Sequence, residues 1–294
     1  MALALFATFA AICLAWFLAT EHEPRYGGRA LSEWLTICRG PDTPRDLREE
    51  ATAAVRKIGT NGLPYLLAHA SGTRPGAKHR IAQFLDQYPT VTRLTPRSVS
   101  YWLHSRRDQT KVYEARLGFV ILAPGMTSAI PDLVRIAMHP SGMENSFWAV
   151  DLLGEIGPPA LPALLTIITN SSGSSRSFAV CQLPKLGTNA TPALPTLIRC
   201  LDAPDPQVAY FCATALGTLK LDQAQCVPAL LHCVRSGAPP LRYEAARAIL
   251  QFGTAAWPVI PELRAVAARE TDFAARHSWE YEIERFERTT PRNP

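Results

Sequence analysis

The sequence predicts an all-α protein: an α-α superhelix, or solenoid, of about eight short helical hairpins, preceded by one hydrophobic N-terminal helix. Three observations carry this. A Leu-Pro step or its equivalent recurs with a period near 33 residues, apolar residues follow it at helical spacing, and Ala-rich stretches closing on glycine lie between the recurrences. Self-similarity at such a period marks stacked supersecondary units, none of which can bury its apolar face alone.

The N-terminal helix comes first in chain order. From Ala2 to Ala19 there is no charged side chain and one polar residue, Thr8. Eighteen helical residues span about 27 Å, enough to cross a hydrocarbon core. Residues 1–20 therefore read as a transmembrane anchor or a signal-like helix, with packing on the soluble body as the third reading. A cleaved signal expects a basic start and a small-x-small cleavage site. No Lys or Arg precedes the run, and Phe17 and Thr20 spoil the second pattern. A retained single span through residues 2–19 is favoured. Arg25, Arg29 and Arg39 follow it, and by charge bias alone they place the body in the cytoplasm.

Residues 21–29 form a linker, and the repeats run from 30 to 288. The marker prolines are Pro64, Pro131, Pro162, Pro195, Pro228 and Pro261, with Pro96 near the middle of the one double gap and Leu31 in the matching place of the first unit. Each unit has two halves. The first starts at the proline, as in Leu194, Leu197, Ile198 and Leu201, an i, i+3, i+4, i+7 face. Proline suits a helix mouth, where its missing N–H has no partner to lose. The second half is Ala-rich and stops at Gly59, Gly157, Gly187, Gly217 or Gly253, glycine being the residue that turns left-handed past a helix end. The linker QYPTVTRLTP in the third unit has no such stop. The last unit is charged on several faces, as a terminal cap requires, and residues 289–294 read as a disordered tail.

This phase, a glycine stop followed by an aliphatic-Pro-x-Leu step, resembles the short HEAT-like repeat. The resemblance implies a right-handed solenoid and says almost nothing of function. Ankyrin and tetratricopeptide signatures are absent. The run Tyr26, Gly27, Gly28, Arg29, Leu31, Trp34, Leu35 is also similar to the start of certain bacterial membrane-anchored HEAT proteins. That likeness implies a solenoid outside the cytoplasm, against the charge bias, and the extracytoplasmic side is favoured.

No catalytic constellation is visible, and no metal site or cofactor is expected. The seven histidines are scattered. One class of HEAT enzyme binds two irons through His-Glu pairs, and here the sole adjacent pair is His22–Glu23, in the linker. Cys226, His232 and Cys233 do not have a standard zinc spacing. Cys200 and Cys233 occupy equivalent positions one repeat apart, too distant across packed helices for a disulfide. The seven cysteines read as buried free thiols.

The one functional candidate is a basic tract. Residues 72–116 hold nine Lys/Arg against three acids, net +6, while the whole chain is only +5. Arg80, Trp102, Arg106, Arg107, Lys111 and Arg116 are its candidate partner-binding residues. The expected function is a non-enzymatic, membrane-tethered scaffold holding a protein partner on its concave surface. Alternatives are an anionic ligand on the basic tract (nucleic acid, lipid headgroup or polysaccharide) and an enzyme similar to the bilin lyases, which share such repeats. A membrane anchor argues against nucleic acid.

Overall fold

Proline and glycine set the boundaries of nearly every element. The computed structural model describes residues 23–70, 109–138, 143–171 and 173–292. The expected membrane helix over 2–19 and most of the 71–108 stretch, including the QYPTVTRLTP linker, lie outside them. Among the described residues no single helix is long and apolar enough to cross a membrane. The chain divides into two compact units, residues 1–129 and 130–294.

The first unit opens with a feature the all-α expectation missed. Residues 25–30, inside and just beyond the expected linker, form a two-stranded antiparallel hairpin, β1 (Arg25–Tyr26) and β2 (Arg29–Ala30). Gly27 and Gly28 turn it at φ of 57° and 80°, a tight turn that side chains resist. The hairpin locks onto α1 (Leu31–Arg39): the Trp34 indole N–H donates to the Tyr26 carbonyl at 3.0 Å, and Arg29 stacks 4.9 Å over the Trp34 ring. Glu23 supplies the missing cap, its carboxylate accepting the Ser32 N–H at the mouth of α1. Helix α2 (Arg45–Ile58) returns against α1, burying Ala51, Ala54, Val55 and Ile58 at helical spacing. Then come α3 (Leu63–Ala70) and α4 (Gln109–Leu122). Gly118 lets α4 approach closely; a Cβ there would fall 2.7 Å from Leu66 Cδ2.

The second unit holds ten helices among the described residues: α5 (Ile130–Met138), α6 (Met143–Ile156), α7 (Leu161–Asn170), α8 (Ser174–Gln182), α9 (Leu194–Cys200), α10 (Pro206–Leu219), α11 (Gln223–Ser236), α12 (Pro239–Leu250), α13 (Ile260–Ala268) and α14 (Phe273–Thr289). They make five consecutive hairpins in two layers. Helices α6, α8, α10, α12 and α14 pack each against the next; α5 packs on α7 and α11 on α13 in the other layer. The core between the layers is Leu, Ile, Val and Ala, with Leu153, Leu164, Ile167, Leu183, Leu197, Leu216, Leu230 and Leu263 fully enclosed. With α1 and α2, six of the eight expected hairpins have both helices described.

The repeat punctuation follows the sequence with two corrections. Pro64, Pro131, Pro162, Pro195 and Pro261 are each the second residue of a helix, behind a 3-10 turn that holds the companion prolines Pro158, Pro159, Pro192 and Pro258. Pro228 differs. It lies inside α11, because Asp222 caps the helix earlier by accepting the Ala224 and Gln225 N–H groups and makes the first turn α-helical. The second correction is Gly217. It is inside α10 rather than past its end, where a Cβ would meet Ala248 Cα at 2.7 Å. The stop falls at Lys220, 33 residues from both Gly187 and Gly253, with φ 47° and ψ 41°. Gly59, Gly157 and Gly187 stop at positive φ with ψ between −133° and −144°, a region closed to side chains. Lys220 takes the neighbouring left-handed helical region instead. At the other end, Thr289 is the last residue of α14 and Pro291 accepts the Trp257 indole N–H at 3.2 Å.

Candidate functional site

Four of the six residues singled out by sequence, Arg80, Trp102, Arg106 and Arg107, lie outside the described residues. Lys111 and Arg116 are on α4, Lys111 exposed and Arg116 half-buried. Five residues apart on a helix, they point about 140° from one another and do not share a face. Much of α4 is packing surface: Ala115, Phe119 and Leu122 are buried. Glu114, one of the three acids of the tract, is a buried strut. It accepts from Thr36 at 3.2 Å and faces Arg39 at 3.4 Å, tying α4 to α1.

The chemistry-bearing face is elsewhere, on the layer α6, α8, α10, α12. Counting back from the stops at Gly157, Gly187, Lys220 and Gly253 puts Phe147, Ser177, Tyr210 and Tyr243 in equivalent places, and likewise Asp151, Cys181, Thr214 and Arg247. Phe147, Tyr210 and Tyr243 are half-buried, seated between helices with one side left to solvent. Phe147 meets Phe178 edge-on at 5.0 Å, Tyr210 meets Phe211 at 5.5 Å, and Tyr243 meets Trp279 at 6.0 Å. Offset and edge contacts of this kind hold aromatic rings in place.

Glu244 anchors one end of this face. It is 1% exposed, and a buried carboxylate is tolerated only when its oxygens are fully partnered. Arg247 donates from Nη2 at 2.7 Å and from Nε at 3.0 Å. Thr214 Oγ1 donates at 2.7 Å from the preceding repeat. Burial, then the Glu244 charge, push the pKa of the neighbouring Tyr210 phenol up. The hydrogen bond to Glu244 raises the Arg247 pKa and keeps its guanidinium charged, with its side chain 40% exposed. At the other end Lys185 bridges Asp151 at 2.8 Å and Glu155 at 2.7 Å, so α6 and the turn after α8 are cross-linked by charge.

The Glu244 oxygens are filled by donors from Arg247 and Thr214. Fixed Tyr, Phe and Arg side chains with one open side are the residue types that dominate protein docking energetics. A shallow hollow of about 280 Å³ in the first unit, lined by Arg56, Thr60, Leu122, Pro124 and Met126 among others, is mostly apolar and gathers no convergent polar set.

Sequence reasoning missed this face. The signal was available: once the repeats are aligned on their stops, Tyr210 and Tyr243 fall 33 residues apart.

Two comparisons bear on the chain. Residues 194–283, from α9 into α14, match the family model for HEAT repeats. Among solved structures, human deoxyhypusine hydroxylase in complex with glycerol is similar at 17% identity, over 88% of this chain and 96% of that one, with a TM-score of 0.35. At that identity and score it carries no argument about activity. No curated protein matches the chain.

Proposed function

We propose that the chain is a non-enzymatic scaffold that docks a protein partner on the α6, α8, α10, α12 face and is tethered to a membrane through residues 2–19. The observation behind the docking is the row Phe147, Tyr210, Tyr243 and Arg247, half-buried and held by ring contacts and by the Glu244 carboxylate. Side chains fixed before binding lose little entropy on contact, which is how such residues become hot spots. HEAT repeats over residues 194–283 suggest the same role, since solenoids offer long continuous surfaces.

The tether rests on the uncharged run Ala2–Ala19. The solenoid is placed on the extracytoplasmic side. A reporter fused after Pro294 and active on one side alone tests that placement. The docking reading is tested by capture from native membranes under matched conditions, comparing wild type, the Tyr210→Ala/Tyr243→Ala double variant and Lys111→Glu. The reading expects one partner lost with the double variant and kept with Lys111→Glu. Equal capture by all three, or loss with Lys111→Glu alone, refutes it.

A further inference from the structure

The two ends of the α1–α2 hairpin treat their cations differently. Helix α1 starts where α2 finishes: a Cβ at Gly62 would lie 3.1 Å from Leu31 Cδ2 and 3.4 Å from Ile58 Cγ2, and β1 packs on α2. This end carries Arg25 and Arg29 on the β-hairpin and Arg56 and Lys57 in the last turn of α2, all exposed. Among the described residues none of the four has an ion-pair partner. At the far end, where α1 finishes and α2 starts, the cations are engaged. Arg45 holds Glu49 at 2.8 Å, Arg39 faces Glu114 at 3.4 Å, and Arg48 donates to the Gly40 carbonyl at 2.9 Å. Of the acids beside the β-hairpin, Glu23 is spent on the Ser32 N–H, which leaves Glu33, exposed in the first turn of α1.

Aromatic and apolar surface accompanies this charge. Tyr26 sits opposite Arg29 in the β-hairpin and is 45% exposed. Arg29 is held in place by its 4.9 Å stack over Trp34. The hollow of about 280 Å³ opens beside Arg56 and Thr60, with Ile121 and Pro124 in its lining. Guanidinium groups grip phosphate oxygens with paired N–H donors. Tyrosine favours the boundary between headgroups and acyl chains. Cations and apolar surface on one face are what a body lying on a bilayer requires. Chain length adds a geometric limit. Arg25 is six residues beyond Ala19, where the uncharged run ends, and six residues reach about 20 Å when fully extended.

We propose that this end of the first unit seats on phospholipid headgroups, with Arg25, Arg29, Arg56 and Lys57 holding lipid phosphate and Tyr26 entering the boundary layer. The seating rests on the tether through residues 2–19, which keeps the β-hairpin within that reach of the apolar core. None of the four cations lies in the 72–116 tract. Both leaflets of a phospholipid bilayer present phosphate, so the contact forms on either side. It restrains the unit against the membrane instead of leaving it to swing on the linker.

The test reconstitutes the full-length protein in vesicles of phosphatidylcholine alone or mixed with anionic phosphatidylglycerol. A photo-reactive residue replaces Thr60, exposed at the cationic end, or Asp42, exposed in the turn at the far end. Lipid adducts are mapped by mass. Thr60 should capture phosphatidylglycerol above its share of the mixture, and Asp42 should not. Arg25→Glu/Arg29→Glu should lower the Thr60 lipid adduct about fivefold or more. Arg29→Glu also loses the stack on Trp34, so Arg56→Glu/Lys57→Glu, both exposed on α2, is the second variant and should lower it likewise with circular dichroism unchanged. Equal yields from Thr60 and Asp42, no preference for the anionic lipid, or yields indifferent to both double variants overturns the proposal. Alkaline carbonate extraction separates the two readings: a chain released from the membrane overturns the tether and the seating together, whereas a chain retained without the lipid preference overturns the seating alone.

Discussion

Gly217→Ala separates stacked hairpins from independent helices by the sign of its effect. In an isolated helix the change is stabilising, because alanine is favoured over glycine by about 1 kcal/mol. In this fold the new methyl would sit 2.7 Å from Ala248 Cα, 2.8 Å from Ala248 Cβ and 3.2 Å from the Ala248 carbonyl oxygen. Those atoms belong largely to the backbone of α12, so no rotamer change relieves the contact, and α10 and α12 must separate. Forcing extra volume into a close-packed contact costs about 1–3 kcal/mol, and a clash with backbone falls at the upper end. After the propensity gain, the net loss is about 1–2 kcal/mol. For a unit of this size that lowers the thermal midpoint by about 2–8 °C. Thermal unfolding followed by circular dichroism measures the midpoint, and hydrogen exchange should show protection lost first in α10 and α12. A midpoint raised by the substitution would refute the close approach of the two helices.

Three further outcomes follow from named contacts. Lys220→Gly removes a side chain from a left-handed backbone and should stabilise by about 1 kcal/mol, whereas Gly187→Ala, at φ 55° and ψ −133°, should cost about 1–3 kcal/mol; denaturant midpoints of the pair should move in opposite directions. Glu244→Ala strips the carboxylate from Arg247 and Thr214 and should cost about 2–3 kcal/mol, below the about 3–5 kcal/mol of a fully buried broken pair because Arg247 is partly solvated, with the Tyr210 phenol titrating at lower pH in ultraviolet difference spectra. Asp222 is held below its ordinary 3.8 by its bond from Gln225, and Glu262 below 4.5 by Arg235. Both carboxylates bind protons more readily when unfolded, so their stabilisation is complete above about pH 4.5 and is lost as pH falls further. Asp222→Asn, which keeps an acceptor oxygen but does not titrate, should flatten that part of the pH–stability profile.

What was legible in the sequence was whatever repeats. The Leu-Pro step and the Ala-rich second half located the hairpins because the same physics acts in every unit. Gly217 was misread for a physical reason: a glycine after Ala-Leu looks like a stop, and the close approach of Ala248 that places it inside a helix depends on a residue 31 positions away. The true stop, Lys220, breaks the chemical rule while keeping the period. Glu244 was invisible on similar grounds. A glutamate in an Ala-rich helix reads as solvated, and its burial depends on Tyr210 and Thr214 of the unit before. Cys200 was weighed against Cys233, its equivalent along the repeat, when the side chain that reaches its sulfur is Arg176, 24 positions back. The basic tract illustrates the limit of counting. Net charge along a segment does not encode direction, and Lys111 and Arg116 point apart while Glu114 faces inward.

Site-specific photo-crosslinking tests the docking face most directly. A photo-reactive residue in place of Thr218, exposed on α10 one turn from Thr214, should capture a discrete protein partner in native membranes. The same group in place of His232, exposed on α11 in the other layer, should not. Tyr243→Ala combined with Arg247→Glu should erase the Thr218 adduct. Adducts of equal yield from both positions, or a Thr218 adduct that survives those substitutions, would contradict the account.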